Sequence, residues 1–296
     1  MSHLPSIALH GGAGNLARYA GTGRLEEAES VLGHLVDHIF TMLQQGASAV
    51  DAVTEAVVRM EDTGLFHAGR GSAPNQHGYV ELDASIMTGH NLEAGAVALV
   101  RRVKNPIKLA RYVMEHTSTV LLGGAEADAL AELQNFEMVD ASYFQPCDMI
   151  GGAIVGHPSS PSTGTVGAVA RDTHGNVAAA TSTGGTLRKT AGRIGDAPLI
   201  GSGTYAKNNV GAVSCTGIGE YFIRNAAAYA VISRMELLGE SVGSAAGTVM
   251  QHIHDLGGEG GLIAIGPRGE VSMPFNTSGM YRASIDAWGK RMVGVL

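Results

Sequence analysis

Between Thr165 and Gly219 the chain reads TVGAVARDTHGNVAAATSTGGTLRKTAGRIGDAPLIGSGTYAKNNVGAVSCTGIG. Thr165 opens an apolar run directly after His157-Pro-Ser-Ser-Pro-Ser-Thr-Gly164, the most linker-like stretch in the protein. Thr183 closes the next run, Arg193 and Asp196 stand three apart in a glycine-dotted loop, and Thr216-Gly217 closes another run. Hydroxyls and charged pairs at strand ends are groups that covalent catalysis uses. The same residues also have a plain structural reading, because threonine suits strands and glycine suits turns. Composition by itself favours that plainer reading.

Other motifs fail on their own terms. Gly184-Gly185 followed by Arg188-Lys189-Thr190 has an arginine where a phosphate loop needs glycine for close backbone approach. Gly69-Arg-Gly71 and Gly217-Ile-Gly219 begin a dinucleotide fingerprint without completing it. His34 and His38 share a helix face but have no third ligand, so they read as a solvated surface. His252 and His254, two apart on a helix, point away from each other. There is no GxSxG elbow, and Cys147 and Cys215 form neither a disulfide framework nor a metal spacing.

The elements that must position these residues are legible in the apolar pattern. Leu25 to Gln45 carries a helical stripe, and a second helix follows with Ser48 as N-cap and Asp51 three residues on. Val80 to Ile86 alternates as a half-buried strand, Gly95–Val100 reads as a second, and Pro106 opens a helix running to about His116. In the second half, 165–170 and 177–181 form a hairpin around Asp172-Thr-His-Gly-Asn176. A strand over 210–215, helices over 220–238 and 241–256, and a hairpin over 261–275 follow. Strands come in hairpins and helices in pairs, which predicts α+β layering with antiparallel sheet.

Composition narrows the partners. With 20 Lys+Arg against 27 Asp+Glu the net charge is −7, and no basic cluster suits a nucleic-acid backbone. No apolar run is long enough to span a membrane and no signal peptide is visible, so the expectation is a soluble, reduced, cytoplasmic protein. Gly is 42 of 296 residues, about twice average usage, which implies interiors where backbones approach closely.

Taken together, the segments resemble the plant-type asparaginase/isoaspartyl peptidase family of N-terminal-nucleophile hydrolases over nearly the whole chain. The specific signature is TVGAVA…STGG…GRxGDxPxxGxGxYA…TGxGE, spread over more than 50 residues. HGGAG at 10–14, LFHAGRG at 65–71, ELDASIM at 81–87, GAVA at 95–98, KNP at 104–106, GGLIA at 260–264 and PFNT at 274–277 also match. The resemblance implies a four-layer αββα sandwich. It also implies a precursor that cuts itself between Gly164 and Thr165, giving an alpha chain 1–164 and a beta chain 165–296 within one domain. Gly164 would let the scissile peptide be strained, and the freed Thr165 amine, with a reference pKa of about 7.7–8.0, could activate its own hydroxyl.

The remaining roles carry over by position. Thr183 would orient the nucleophile; Thr216 and the Gly217 N–H would form the oxyanion hole; Arg193 would hold the substrate carboxylate, Asp196 its ammonium, and Gly219 would shape the pocket floor. Substrates would be L-asparagine and β-aspartyl dipeptides, cleaved through a β-aspartyl ester. The resemblance also implies a structural sodium ion on the carbonyls of Met60, Glu61, Thr63, Phe66, Ala68 and Arg70. It implies no catalytic metal or organic cofactor, and it implies a dimer of alpha/beta heterodimers. Two departures stand out: the short Pro/Ser-rich linker, and His67 where the family has Asn, near the substrate's amino end. A glycosylasparaginase-type amidase, which has TGNGD where this chain has TGIGE, and an unprocessed relative with a binding role are the alternatives.

Overall fold

Alternation along the strands sends side chains into two separate interiors, and this decides the layering. The computed structural model describes residues 4–147, 149–150, 153–154 and 164–296. The first half comprises β1 (Ser6–Gly14), α1 (Arg24–Gln44), α2 (Ala49–Thr63), β2 (Leu82–Thr88), β3 (Ala94–Val100), α3 (Pro106–His116), β4 (Leu121–Gly123) and α4 (Gly124–Leu133). The short pair β5 (Met149–Ile150) and β6 (Ala153–Ile154) follows. The second half comprises β7 (Val166–Arg171), β8 (Val177–Thr183), β9 (Thr204–Lys207), β10 (Gly211–Gly217) and three helices, α5 (Gly219–Arg224), α6 (Ala227–Leu238) and α7 (Val242–Asp255). It closes with β11 (Gly260–Ile265), β12 (Val271–Ser272), β13 (Gly279–Ile285) and β14 (Arg291–Gly294).

Eight strands form one sheet in the order β14-β13-β1-β7-β8-β2-β3-β4, and four form a second in the order β12-β11-β10-β9. Leu9, Ile86, Val166 and Ala168 point outward from the large sheet and pack with Leu32, Val36, Ile39, Val53 and Val57 of α1 and α2. Val213, Cys215 and Leu262 point outward from the small sheet onto α6 and α7. The neighbours of these residues along the strands, among them Ala8, Val169, Ala179, Ala206, Ala212 and Ile263, meet between the sheets. The result is helix, sheet, sheet, helix, the αββα sandwich.

Helix signals read from the sequence hold. The Ser48 hydroxyl accepts the Asp51 N–H at 3.1 Å and donates to the Asp51 carboxylate at 2.7 Å, and Pro106 opens α3. Two expectations need correction. The helix expected over 220–238 is broken at Ala226, which adopts φ 45°; the first turn of α6 donates the Ala228 and Tyr229 N–H groups to the Ser202 and Gly201 carbonyls. The strand around Val80–Ile86 is not half-solvated: Glu81, Asp83 and Ser85 are buried, so its polar face looks into the protein.

Candidate active site

Thr165 lies at the entrance of β7, one residue before Val166 pairs with Ser182, and is buried. Its hydroxyl donates to Thr183 Oγ1 at 3.2 Å, and Thr183 Oγ1 in turn donates to the Gly164 carbonyl at 2.9 Å. The Gly185 N–H donates to the same Thr183 oxygen at 2.9 Å and fixes its direction. A threonine hydroxyl, a relay hydroxyl and the adjoining carbonyl are thus connected in one short path.

The peptide before Thr165 is walled by residues whose small size creates the space. A β-bulge between His10 and Gly12 re-aims β1, and Gly12 sits at φ 111°. A Cβ there would stand 3.1 Å from Gly164 Cα and 3.3 Å from the Thr165 nitrogen, so glycine is needed both for conformation and for approach. The His67 ring packs on the other side: a Cβ on Gly164 would lie 2.3 Å from His67 Cδ2. His67 therefore borders Gly164 directly, and its carbonyl accepts the Gly184 N–H at 2.8 Å. The stretch 157–163 of the linker lies outside the described residues.

Thr216 is reached through the same glycine segment. Its hydroxyl accepts the Ala13 N–H at 3.3 Å, one residue after Gly12, which ties the end of β10 to the wall of the Gly164–Thr165 peptide. Gly217 has φ 152°, and a Cβ on it would lie 2.4 Å from the Glu259 carbonyl and 2.6 Å from Phe222. Both residues stand where β10 ends against Gly260 of β11.

Arg193, Asp196 and Gly219 also converge. A Cβ on Gly219 would be 2.7 Å from Asp196 Oδ1 and 3.0 Å from the Arg193 guanidinium, so the pair meets over this glycine. Asp196 is 4 % exposed, and its Oδ2 is buried with no hydrogen-bond partner among the described residues. Burial pushes its carboxyl up to about 7, against the pull of the Arg193 charge. An acidic oxygen buried with an open valence is suited to a cationic or N–H ligand.

One participant went unread in the sequence: Glu220 takes the Arg193 guanidinium in a bidentate grip, 2.9 Å from Nε and 2.9 Å from an Nη. Those hydrogen bonds hold the Glu220 carboxyl below its ordinary range. Only the glutamate's place at the first turn of α5, just after Gly219, could have hinted at it. Behind this group, burial raises the Asp83 carboxyl against the nearby Lys189 charge, and Asp83 accepts the Leu99 N–H at 2.8 Å.

Residues 60–70 form the turn that carries His67. Met60, Glu61 and Thr63 close the last turn of α2, where carbonyls lack backbone partners within the helix and the Met60 carbonyl accepts the Thr63 hydroxyl at 2.9 Å. The Phe66, Ala68 and Arg70 carbonyls each accept one N–H, from Ala68, Gly71 and Gln145, leaving a lone pair apiece. A Cβ on Gly69 would stand 2.6 Å from the Glu61 carbonyl oxygen and one on Gly71 2.1 Å from that of Phe66, so the turn closes tightly only with glycine there. Neutral oxygens at the negative end of a helix fit a hard cation. The Glu61 side chain has a separate task. It is fully buried, with its carboxyl pushed up to about 8 by burial, and accepts the Ser182 hydroxyl at 2.6 Å and the Asn105 amide at 3.0 Å. It thereby ties this turn to the residue preceding Thr183.

Comparison with known proteins gives this geometry a context. The asparaginase family profile matches residues 3–150 and 152–295. The isoaspartyl peptidase of Salmonella typhimurium is 45% identical over 300 residues, covering 96% of this chain and 94% of that protein. The isoaspartyl peptidase of Escherichia coli is 44% identical, with 96% and 92% covered. The isoaspartyl peptidase/L-asparaginase of Xenopus laevis is 41% identical, with 95% and 92% covered.

Proposed function

Since the chain belongs to the asparaginase family, we propose that it is a self-activating threonine hydrolase of β-aspartyl dipeptides and L-asparagine. The observation that carries this reading is the path from the Thr165 hydroxyl through Thr183 to the Gly164 carbonyl. As Thr165 Oγ1 attacks the Gly164 carbonyl carbon, its proton passes to Thr183, whose own proton goes to the carbonyl oxygen. As that intermediate collapses, its hydroxyl proton passes to the Thr165 nitrogen, the carbonyl re-forms and the Gly164–Thr165 C–N bond breaks, leaving an ester and a free amine. Water cleaves the ester, releasing the Gly164 carboxylate and the Thr165 hydroxyl beside the free amine.

That amine is the base the precursor lacked. With a reference pKa of about 7.7–8.0 it can take the hydroxyl proton near neutrality. The substrate β-carbonyl carbon must then come to the place that the Gly164 carbonyl carbon held, because the same oxygen attacks both. Gly12 and His67, which wall Gly164, therefore wall the acyl site. Thr216 and Gly217 hold the developing oxyanion, with each donor worth about 3 kcal/mol. Asp196 takes the substrate ammonium on its open oxygen. Arg193 takes the α-carboxylate, for which Glu220 must yield its place. Ammonia or the amino acid leaves, and hydrolysis of the β-aspartyl ester returns aspartate and free Thr165.

A structural sodium ion on the carbonyls of Met60, Glu61, Thr63, Phe66, Ala68 and Arg70 would stiffen the turn that carries His67. Two cleaved pairs would assemble into a dimer of alpha/beta heterodimers, with a mass twice the 30.5 kDa of one chain. No described helix is long and apolar enough to cross a membrane. The test is a gel with N-terminal sequencing and a product assay. Chains of about 17 and 14 kDa, the smaller beginning Thr-Val-Gly-Ala, follow from dividing the mass by length. Aspartate should be released from β-Asp-Leu and from asparagine. Cleavage at another bond, or no aspartate from either substrate, overturns the reading.

A further inference from the structure

Hydroxyls on four strands meet between the sheets and end on His10. His10 is fully buried; its Nδ1 is 3.0 Å from the Thr165 carbonyl oxygen and its Nε2 is 2.9 Å from Ser214 Oγ. Ser214 Oγ is 2.7 Å from Thr181 Oγ1, to which Thr204 Oγ1 donates at 2.6 Å. Ser85 Oγ donates to the Ala197 carbonyl, next to Asp196, at 2.5 Å and lies 2.7 Å from Thr204 Oγ1. The chain thus crosses β1, β10, β8 and β9 from the backbone of Thr165, with Ser85 of β2 at its far end.

Its direction is fixed by valence. A carbonyl only accepts, so Nδ1 must carry the imidazole proton toward Thr165, and in a neutral ring Nε2 then accepts. Burial keeps the ring neutral by pulling its pKa down to about 3. Ser214 therefore donates to His10, Thr181 to Ser214 and Thr204 to Thr181, while Ser85, whose one proton goes to the Ala197 carbonyl, lies outside this donor row. Bonds aligned in this way polarise one another. Space has been cleared for the key link: a Cβ on Gly167 would stand 2.0 Å from Ser214 Oγ and 2.3 Å from His10 Nε2.

We propose that His10 is a positioning residue which, held in one tautomer by the Ser214–Thr181–Thr204 chain, anchors the Thr165 carbonyl after residue 165 has become a chain end. The inference rests on Thr165 being the nucleophile. Chain ends fray unless tied down. Pairing between β1 and β7 stops at His10 with Gly167, two residues short of Thr165. Thr183 holds the hydroxyl of the new terminus and His10 holds its carbonyl. The precursor, with Thr165 bonded on both sides, needs the anchor less than the mature enzyme does.

The test separates tautomer from turnover. In ¹⁵N-histidine-labelled protein, the His10 ring, assigned by its loss in His10→Asn, should carry its proton on Nδ1. Ser214→Ala should still self-cleave, yet lose the fixed tautomer and about tenfold in kcat with KM within a factor of about two. Thr204→Val, which keeps shape and cuts the chain further from Thr165, should lower kcat by a smaller factor, again without moving KM. A wild-type His10 protonated on Nε2 overturns the proposal. So does a matured Ser214→Ala with unchanged kcat, or a Thr204→Val whose change falls on KM alone. A wild type that never cleaves itself would instead remove the nucleophile reading on which the anchor depends, whatever the tautomer.

Discussion

Thr165 is held by neutral groups: the Thr183 hydroxyl, the His10 imidazole and the glycine backbone at 12. Around Arg193, by contrast, Glu220, Asp196 and Asp83 all act on one guanidinium. The bond-making end therefore works through position, since neutral hydrogen bonds give direction and little range. The recognition end works through charge, which acts at a distance and tolerates looser geometry. Errors of placement should harm the first end most, and errors of charge the second.

The largest break in that contrast is Thr165→Ala. With no hydroxyl there is no acyl shift, and a single band at 30.5 kDa with no aspartate release is expected on gel and assay. Arg193→Ala comes next and should spare self-cleavage, because the precursor presents no free carboxylate there. Losing a charge-assisted bidentate contact costs about 1.5–3 kcal/mol, roughly 10- to 150-fold in kcat/KM for β-Asp-Leu. Gly12→Ala reverses the pattern. Strain at φ 111° against the scissile peptide costs about 1–3 kcal/mol and should slow cleavage measurably on a gel time course, with the fold retained by circular dichroism.

The mildest effect is the pH response of recognition. Asp196, raised to about 7 in the empty site, must be ionised to receive an ammonium. Substrate pulls its pKa down, so binding is full above pH 7 and weakens as pH falls below it. KM should rise up to about tenfold per unit of acidification. Asp196→Asn should bind more weakly throughout but lose this slope, as KM measured from pH 5.5 to 8 would show.

Much of this was legible in the sequence, and the gaps have physical causes. Thr165, Thr183 and Thr216 mark strand ends, and Arg193 and Asp196 lie in a glycine loop, patterns that composition reads as plain structure, so only the resemblance singles them out. Gly11 and Gly12 lie within β1, where Gly11 clears space for Phe66 and Gly12 for Gly164 and Thr165, more than 150 positions away, which no local pattern announces. Alternation over 80–86 was visible, yet alternation cannot tell water from a second sheet. Glu220 was missed because its partner is brought to it by the fold alone. α4 escaped because Gly-Ala-Glu-Ala-Asp-Ala-Leu draws too faint an apolar stripe.

Strand order has a last consequence for the life of the molecule. β1 lies between β13 and β7, and β2 lies beside β8, so the two products of a cut before Thr165 share three ladders in one sheet. They cannot part without tearing it. Once the link is cut, however, unfolding is also dissociation, and refolding requires two chains to meet at whatever concentration remains. Joined, the polypeptide can fold unaided by a partner; cut, it keeps a structure that it could regain only by collision. Maturation thus sets memory in place of reversibility, and the precursor is the form in which the fold has to be found.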